Sequence, residues 1–126
     1  MSKSVNSVTL LGNIGQPPES RTLQNGTSVT TVSMATNERI KRGDTWADHT
    51  EWHSVTFFGK LSDVAKQYLH KGSMLLVTGR LRTSSWEDDH QVKRWKTTII
   101  ANELILLDKP TNAQPAVPDD AYSEAF

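Results

Sequence analysis

The 126-residue chain has no cysteine, which removes disulfide staples, thiolate metal ligands and thiol nucleophiles together and fits a reducing compartment. It also has no long apolar run. Stretches such as Ile99 to Ala101 and Leu104 to Leu107 are far too short to span a bilayer, and Met1-Ser-Lys-Ser leads into no apolar signal segment. A soluble, intracellular protein is expected. Phosphate-cradling glycine motifs and the strand-to-helix nucleophile turn are missing as well. Of the histidines, His49, His53, His70 and His90, only His49 and His53 lie four apart, and their segment reads as loop and strand and not as the helix on which familiar zinc sites use that spacing, so solvated or packed roles suit them better than a metal or a general base. An enzyme is therefore not expected, nor any metal or cofactor.

A basic surplus is absent too. Fourteen basic and fourteen acidic side chains cancel, whereas binders of polyanions usually carry excess positive charge. The distribution changes that picture. Residues 1–107 hold thirteen basic against ten acidic residues, while residues 108–126 hold Lys109 against Asp108, Asp119, Asp120 and Glu124. A mildly basic body thus precedes an acidic tail. The length admits one compact domain, taken as 1–107, and a tail, 108–126. Pro110, Pro115 and Pro118 among Ala, Asn, Gln and Thr cannot build a core, so disorder is expected there. The end, Asp119-Asp-Ala-Tyr-Ser-Glu-Ala-Phe126, has the form of a short peptide ligand, with Asp119, Asp120, Glu124 and Phe126 docking in a basic pocket of a partner.

Against these absences stands Thr50 to Gly59, dense in β-branched and aromatic residues and without a helical stripe, which predicts a strand. Glu51, His53, Val55 and Phe57 share one face, and Trp52, Ser54, Thr56 and Phe58 the other. Val55 and Phe57 can enter a core. The second face sets two large rings among small hydroxylated side chains, as a platform for stacked bases would. Taken alone, the strand fits a platform and a filled core equally, since buried Trp and Phe are ordinary in small β domains.

Along the chain, Val5 to Ile14 alternates as a strand and stops at Gly15-Gln-Pro-Pro. Ser20 to Leu23 is short and extended, Asn25-Gly26 signals a hairpin turn, and Thr27 to Thr36 returns as a strand. Asn37 to His49 interrupts the pattern with charges, predicting a long exposed loop that carries Arg39, Lys41 and Arg42. Leu61, Val64, Ala65, Tyr68 and Leu69 form one apolar stripe, predicting a helix over 61–70 that Gly72 stops. Ser73 to Trp86 is a strand with Leu75, Val77, Gly79, Leu81 and Thr83 on one face, and Arg80, Arg82, Ser84 and Trp86 on the other. Two guanidinium groups and an indole on one side suit phosphates and a base. After an acidic turn at 87–91, Val92 to Leu107 is the last strand, with Lys93, Arg94 and Lys96 around Trp95 and with Ile99, Ala101 and Leu104 toward the core.

About five strands with a helix between the third and fourth match the all-β OB-fold, a small five-stranded Greek-key barrel that binds nucleic acid on the face around its second and third strands. Ordered matches then extend over about residues 4–107: Val5-Asn6, Leu11-Gly-Asn-Ile-Gly-Gln-Pro-Pro-Glu19, Asn25-Gly26, Ala35-Thr36, Thr50-Glu-Trp-His53, Phe58-Gly-Lys-Leu61, Tyr68-Leu-His-Lys-Gly72, Gly79-Arg-Leu-Arg-Thr83 and Trp86. In these the chain resembles the bacterial single-stranded DNA-binding proteins. The resemblance implies a cytoplasmic, nucleoid-associated homotetramer that wraps single-stranded DNA without strong sequence preference in replication, repair and recombination. It further implies that Trp52, Phe58 and Trp86 stack on bases, that His53 lies near a subunit contact, and that the C-terminal tip recruits replication and repair proteins.

Three departures stand out. The family often has Trp where this chain has Ile40, so that platform is absent or replaced by Trp46 or Trp95. The tip reads Tyr122-Ser-Glu-Ala-Phe126 in place of acids followed by Ile-Pro-Phe, and the linker is short, as in a plasmid or mobile-element paralogue. The expected mechanism is a groove in which Arg39, Lys41, Arg42, Arg80, Arg82, Lys93, Arg94 and Lys96 track phosphates while Trp52, Phe58, Trp86 and Trp95 meet bases. An RNA-binding or protein-interaction OB module is the alternative; such a module would not hold a poly-deoxythymidine strand in low salt.

Overall fold

Alternating β-branched and small residues carry most of the chain in extended form. The computed structural model describes residues 3–107. Its strands are β1 (Val8–Ile14), β2 (Glu19–Thr22), β3 (Ser28–Arg42), β4 (Thr45–Phe58), β5 (Met74–Glu87) and β6 (Lys93–Leu106), with helix α1 (Lys60–Tyr68) between β4 and β5. The sheet runs β1-β5-β6-β4-β3-β2, and β1 also pairs with β3, so five strands close into a barrel while β2 lies outside on the edge of β3. With β2 set aside, the helix follows the third barrel strand, as expected. Two of the seams are narrow. β1 meets β3 only through Asn13↔Ala35 and Ile14↔Met34, and β4 meets β6, in parallel, only through Val55↔Ile99 and Thr56↔Ile100.

The core is what the alternation of β3, β4 and β5 turns inward: Val32, Met34, Val55, Phe57, Leu75 and Val77 are buried, and Ala65 and Leu69 close one end. Helix α1 is held there by hydroxyl groups as well. Ser62 Oγ lies 2.8 Å from both Ser28 Oγ and Thr30 Oγ1, and Thr30 Oγ1 lies 2.8 Å from Ser20 Oγ, a chain that ties β2 and β3 to the helix. Buried hydroxyls satisfied in this way avoid the cost of an unpaired polar group.

Several expectations are corrected. The predicted loop over 37–49 is the outer part of a β hairpin, since β3 and β4 pair without interruption from Val29↔Phe58 to Arg42↔Thr45 around Gly43. Charged residues there reflect two solvated faces rather than a break in pairing. The helix is shorter than predicted, and its stripe only partly packs: Val64 is 41% and Tyr68 53% exposed. Gly72 does not stop it, because the chain leaves the helix at Leu69; Gly72, at φ 94°, serves the turn into β5 and donates to Ile14 O at 2.8 Å. The turn at Asn25-Gly26 forms as expected, with Gly26 at φ 88° and Thr27 N donating to Asn25 Oδ1. The tail residues Asp119, Asp120, Glu124 and Phe126 lie outside the described residues.

Candidate nucleic-acid interface

The register of the β3–β4 hairpin sorts its side chains. Cross-strand partners share a face, so Trp46, Asp48, Thr50, Trp52, Ser54, Thr56 and Phe58 stand with Lys41, Arg39, Asn37, Ala35, Ser33, Thr31 and Val29. This is the face opposite Val55 and Phe57, which are wholly buried. Trp46, Trp52 and Phe58 are 57%, 58% and 43% exposed. Six residues separate each from the next along β4, about 20 Å at ordinary strand rise.

The β5–β6 hairpin is sorted in the same way, with one interruption. Thr78 pairs with Glu103 and Gly79 with Ala101, which leaves Asn102 unpaired as a bulge. Below the bulge Leu104 opposes Val77; above it Ile99 opposes Leu81, Trp95 opposes Ser85 and Lys93 opposes Glu87. Trp95 and Lys93 therefore continue the barrel's inward side, beyond the core, with Lys93 Nζ 5.6 Å from the Trp95 ring centre. Trp86 opposes Arg94, Ser84 opposes Lys96 and Arg82 opposes Thr98 on the outward side, together with Arg80. Trp86 is 48% and Trp95 63% exposed, but they look in opposite directions.

The outward faces of the two hairpins meet. A groove of about 340 Å³ is lined by Trp52, Ser33, Ser54, Lys96, Gln16 and Pro17, among others, so Lys96 of β6 reaches the Trp52 platform of β4. Trp52, Phe58, Trp86, Arg39, Lys41, Arg80, Arg82, Arg94 and Lys96 thus share the outer wall. Arg42 is set apart by alternation at the hairpin turn, like Lys93 and Trp95 on the other arm. Some of the cations have anchors. Arg39 lies 5.6 Å from the Trp46 ring centre and 3.8 Å from Asp48, and Arg94 Nε donates to Asp88 Oδ2 at 3.0 Å. Asp88 also accepts from the amides of His90 and Val92; these bonds, led by the one from Val92, hold its carboxyl below the usual carboxylate range.

The other face of the β3–β4 arm is different. Glu38, His49 and Glu51 line a small depression with Thr36 and Asn37, His49 Nε2 lies 2.8 Å from Glu51 Oε2, and His53 Nε2 lies 2.9 Å from Thr36 Oγ1. Among the described residues no three His, Asp or Glu side chains are arranged to hold a metal ion, these included. Trp46, named from sequence only as a candidate replacement for the aromatic absent at Ile40, cannot be placed on a face while 37–49 is read as a loop. An even separation from Trp52 was its signal, meaningful only once the segment is extended.

This geometry has relatives. Residues 5–107 match the Single-strand binding protein family. The chain is 39% identical over 132 residues to "Single-stranded DNA-binding protein 1" of Xylella fastidiosa (strain 9a5c), covering 94% of this chain and 97% of that protein. A solved structure described as "Plasmodium falciparum SSB complex with ssDNA" superposes with a TM-score of 0.78 at 33% identity, over 86% of this chain and 99% of that one. The barrel is accordingly an OB-fold.

Proposed function

The chain belongs to the single-strand binding protein family, and from that premise we propose how it works: it binds single-stranded DNA on the outer wall of the barrel, without strong sequence preference. The observation that carries this reading is the convergence of exposed Trp52, Phe58 and Trp86 with Arg80, Arg82 and Lys96 on one continuous face. Rings of any base can lie on an indole or phenyl surface, each stack contributing on the order of 1–3 kcal/mol. The cations replace counterions along the phosphates, with a logarithmic salt slope of about −0.7 per phosphate neutralised. No covalent step is involved, so binding is the whole activity, serving replication, repair and recombination.

Trp46, with Arg39 against its ring and Lys41 opposite, extends this wall toward the hairpin tip. Trp95, Lys93 and Arg42 are left out of the DNA path because alternation turns them away. The Glu38, His49, Glu51 and His53 face is assigned to contact between copies in a homotetramer, since its acids would repel a phosphate backbone. The acidic tip, with Asp119, Asp120, Glu124 and Phe126, is assigned to partner proteins of replication and repair, in the cytoplasm at the nucleoid. Deleting residues 119–126 should leave DNA affinity intact or raised while abolishing capture of those partners in pull-downs; retained capture refutes the assignment.

The central test is a tryptophan-fluorescence titration with poly-deoxythymidine and with duplex DNA at two salt concentrations. Strong quenching by the single strand, a salt-dependent affinity and weak duplex binding are expected. Equal affinity for duplex would sink the reading.

A further inference from the structure

Gly15 directly follows β1, and its φ lies outside the left-handed region that favours glycine. Its backbone is also fixed, because Gly15 N donates to Ser33 O at 2.9 Å and the neighbouring Ile14 N donates to Ser73 O at 2.9 Å. What this position excludes is volume. A Cβ placed on Gly15 would stand 2.5 Å from Cη2 of Trp52, closer still to Cζ3, and 3.5 Å from Cε3, and these are its three nearest neighbours. All belong to the outer ring of the indole. Gly12 and Gly79 differ: a Cβ there would run into the backbone carbonyls of Ala35 and Ile100, the barrel itself.

Trp52 is more than half exposed, so its seat on Gly15 does little for the core. Its consequence lies in the attitude of the ring. The indole rests its outer edge on a pinned, side-chain-free backbone and forms one wall of the groove that Ser33, Ser54 and Lys96 also line. A methyl group at Gly15 cannot displace the backbone, but it can lever the ring, which has solvent to move into. We infer that Gly15 is a positioning residue for the stacking surface: its missing side chain sets the angle at which the Trp52 indole faces a base in the groove beside Lys96. This rests on the stacking role proposed for Trp52.

The test uses Gly15→Ala, Trp52→Ala, Trp52→Phe and the double variant Gly15→Ala/Trp52→Phe in the full chain. Without DNA, the indole Nε1–H signal of Trp52, assigned by its loss in Trp52→Phe, should shift in Gly15→Ala more than those of the other three tryptophans, with the thermal midpoint in place. Affinity for poly-deoxythymidine should fall several-fold in Gly15→Ala. A phenyl ring lacks the fused outer ring that the methyl would strike, so the same change in the Trp52→Phe background should cost little more. An unmoved Trp52 signal, equal losses in both backgrounds, or a large drop in midpoint would overturn the proposal. If Trp52→Ala weakens binding and Gly15→Ala does not, the seat fails alone; if Trp52→Ala binds as tightly as the natural chain, the stacking role fails and takes the seat's effect on DNA with it.

Discussion

Trp52 and Val55 lie three residues apart on β4, one 58% exposed and the other fully buried. Strand alternation puts the two on opposite faces, and the lack of a second layer over the outer part of β4 leaves the indole bare, which makes the platform a property of individual side chains. Trp52→Ala should weaken single-strand binding about tenfold or more if it forfeits the lower end of the 1–3 kcal/mol range for one stacked base, read from fluorescence or anisotropy titrations. At the β5–β6 turn, Asp88 behaves as a proton-sensitive clasp. Its folded-state pKa is depressed by the Val92 amide first and the Arg94 side chain next, so its support for the turn is present above the ordinary aspartate value and is lost as pH falls through the lowered one. The amide signals of His90 and Val92 should titrate with a midpoint below the ordinary aspartate value, and should not do so in Asp88→Asn.

At the scale of elements, the two hairpins are ribbons that outrun the barrel. Neither has a second layer beyond the core, which is why residues 45–52 and 82–87 are exposed on both sides of the strands. The central strand was legible in the sequence because Val55 and Phe57 alternate strictly with Trp52, Ser54, Thr56 and Phe58. The outer part of the first ribbon was not, since a two-sided polar strand carries no hydrophobic period and resembles a loop in composition. Trp86 and Trp95 expose the same limit: a basic and aromatic cluster says nothing about sides until pairing is known. Trp86→Ala should reduce affinity for a long single strand by about 1–3 kcal/mol, while Trp95→Ala changes it little. Trp46→Ala should weaken long oligonucleotides but spare those short enough to occupy only the Trp52 groove, a difference visible in paired titrations.

For the whole molecule, stability and binding draw on different surfaces. Phe57 is fully buried in the cluster formed by Val32, Met34, Val55 and Leu75. Phe57→Ala should cost about 3–5 kcal/mol of folding stability, measured by denaturant titration. Phe58→Ala, one residue along but 43% exposed, should lower DNA affinity far more than stability. The overall order of strands and helix was readable from sequence because each core strand carries its own period. The helix's outer edge was not, because Val64 and Tyr68 fit an apolar stripe yet face solvent.

The unpaired Asn102 decides which of two coats the second ribbon wears. Were it drawn into the ladder opposite Gly79, the register beyond it would slip by one residue, and since Leu104 and Leu106 are anchored opposite Val77 and Leu75, the free end is the part that must turn over. Trp95 and Lys93 would then come to the outside while Arg94 and Lys96 swung inward. One residue near the barrel rim therefore acts as the phase-setter for every side chain out to the tip.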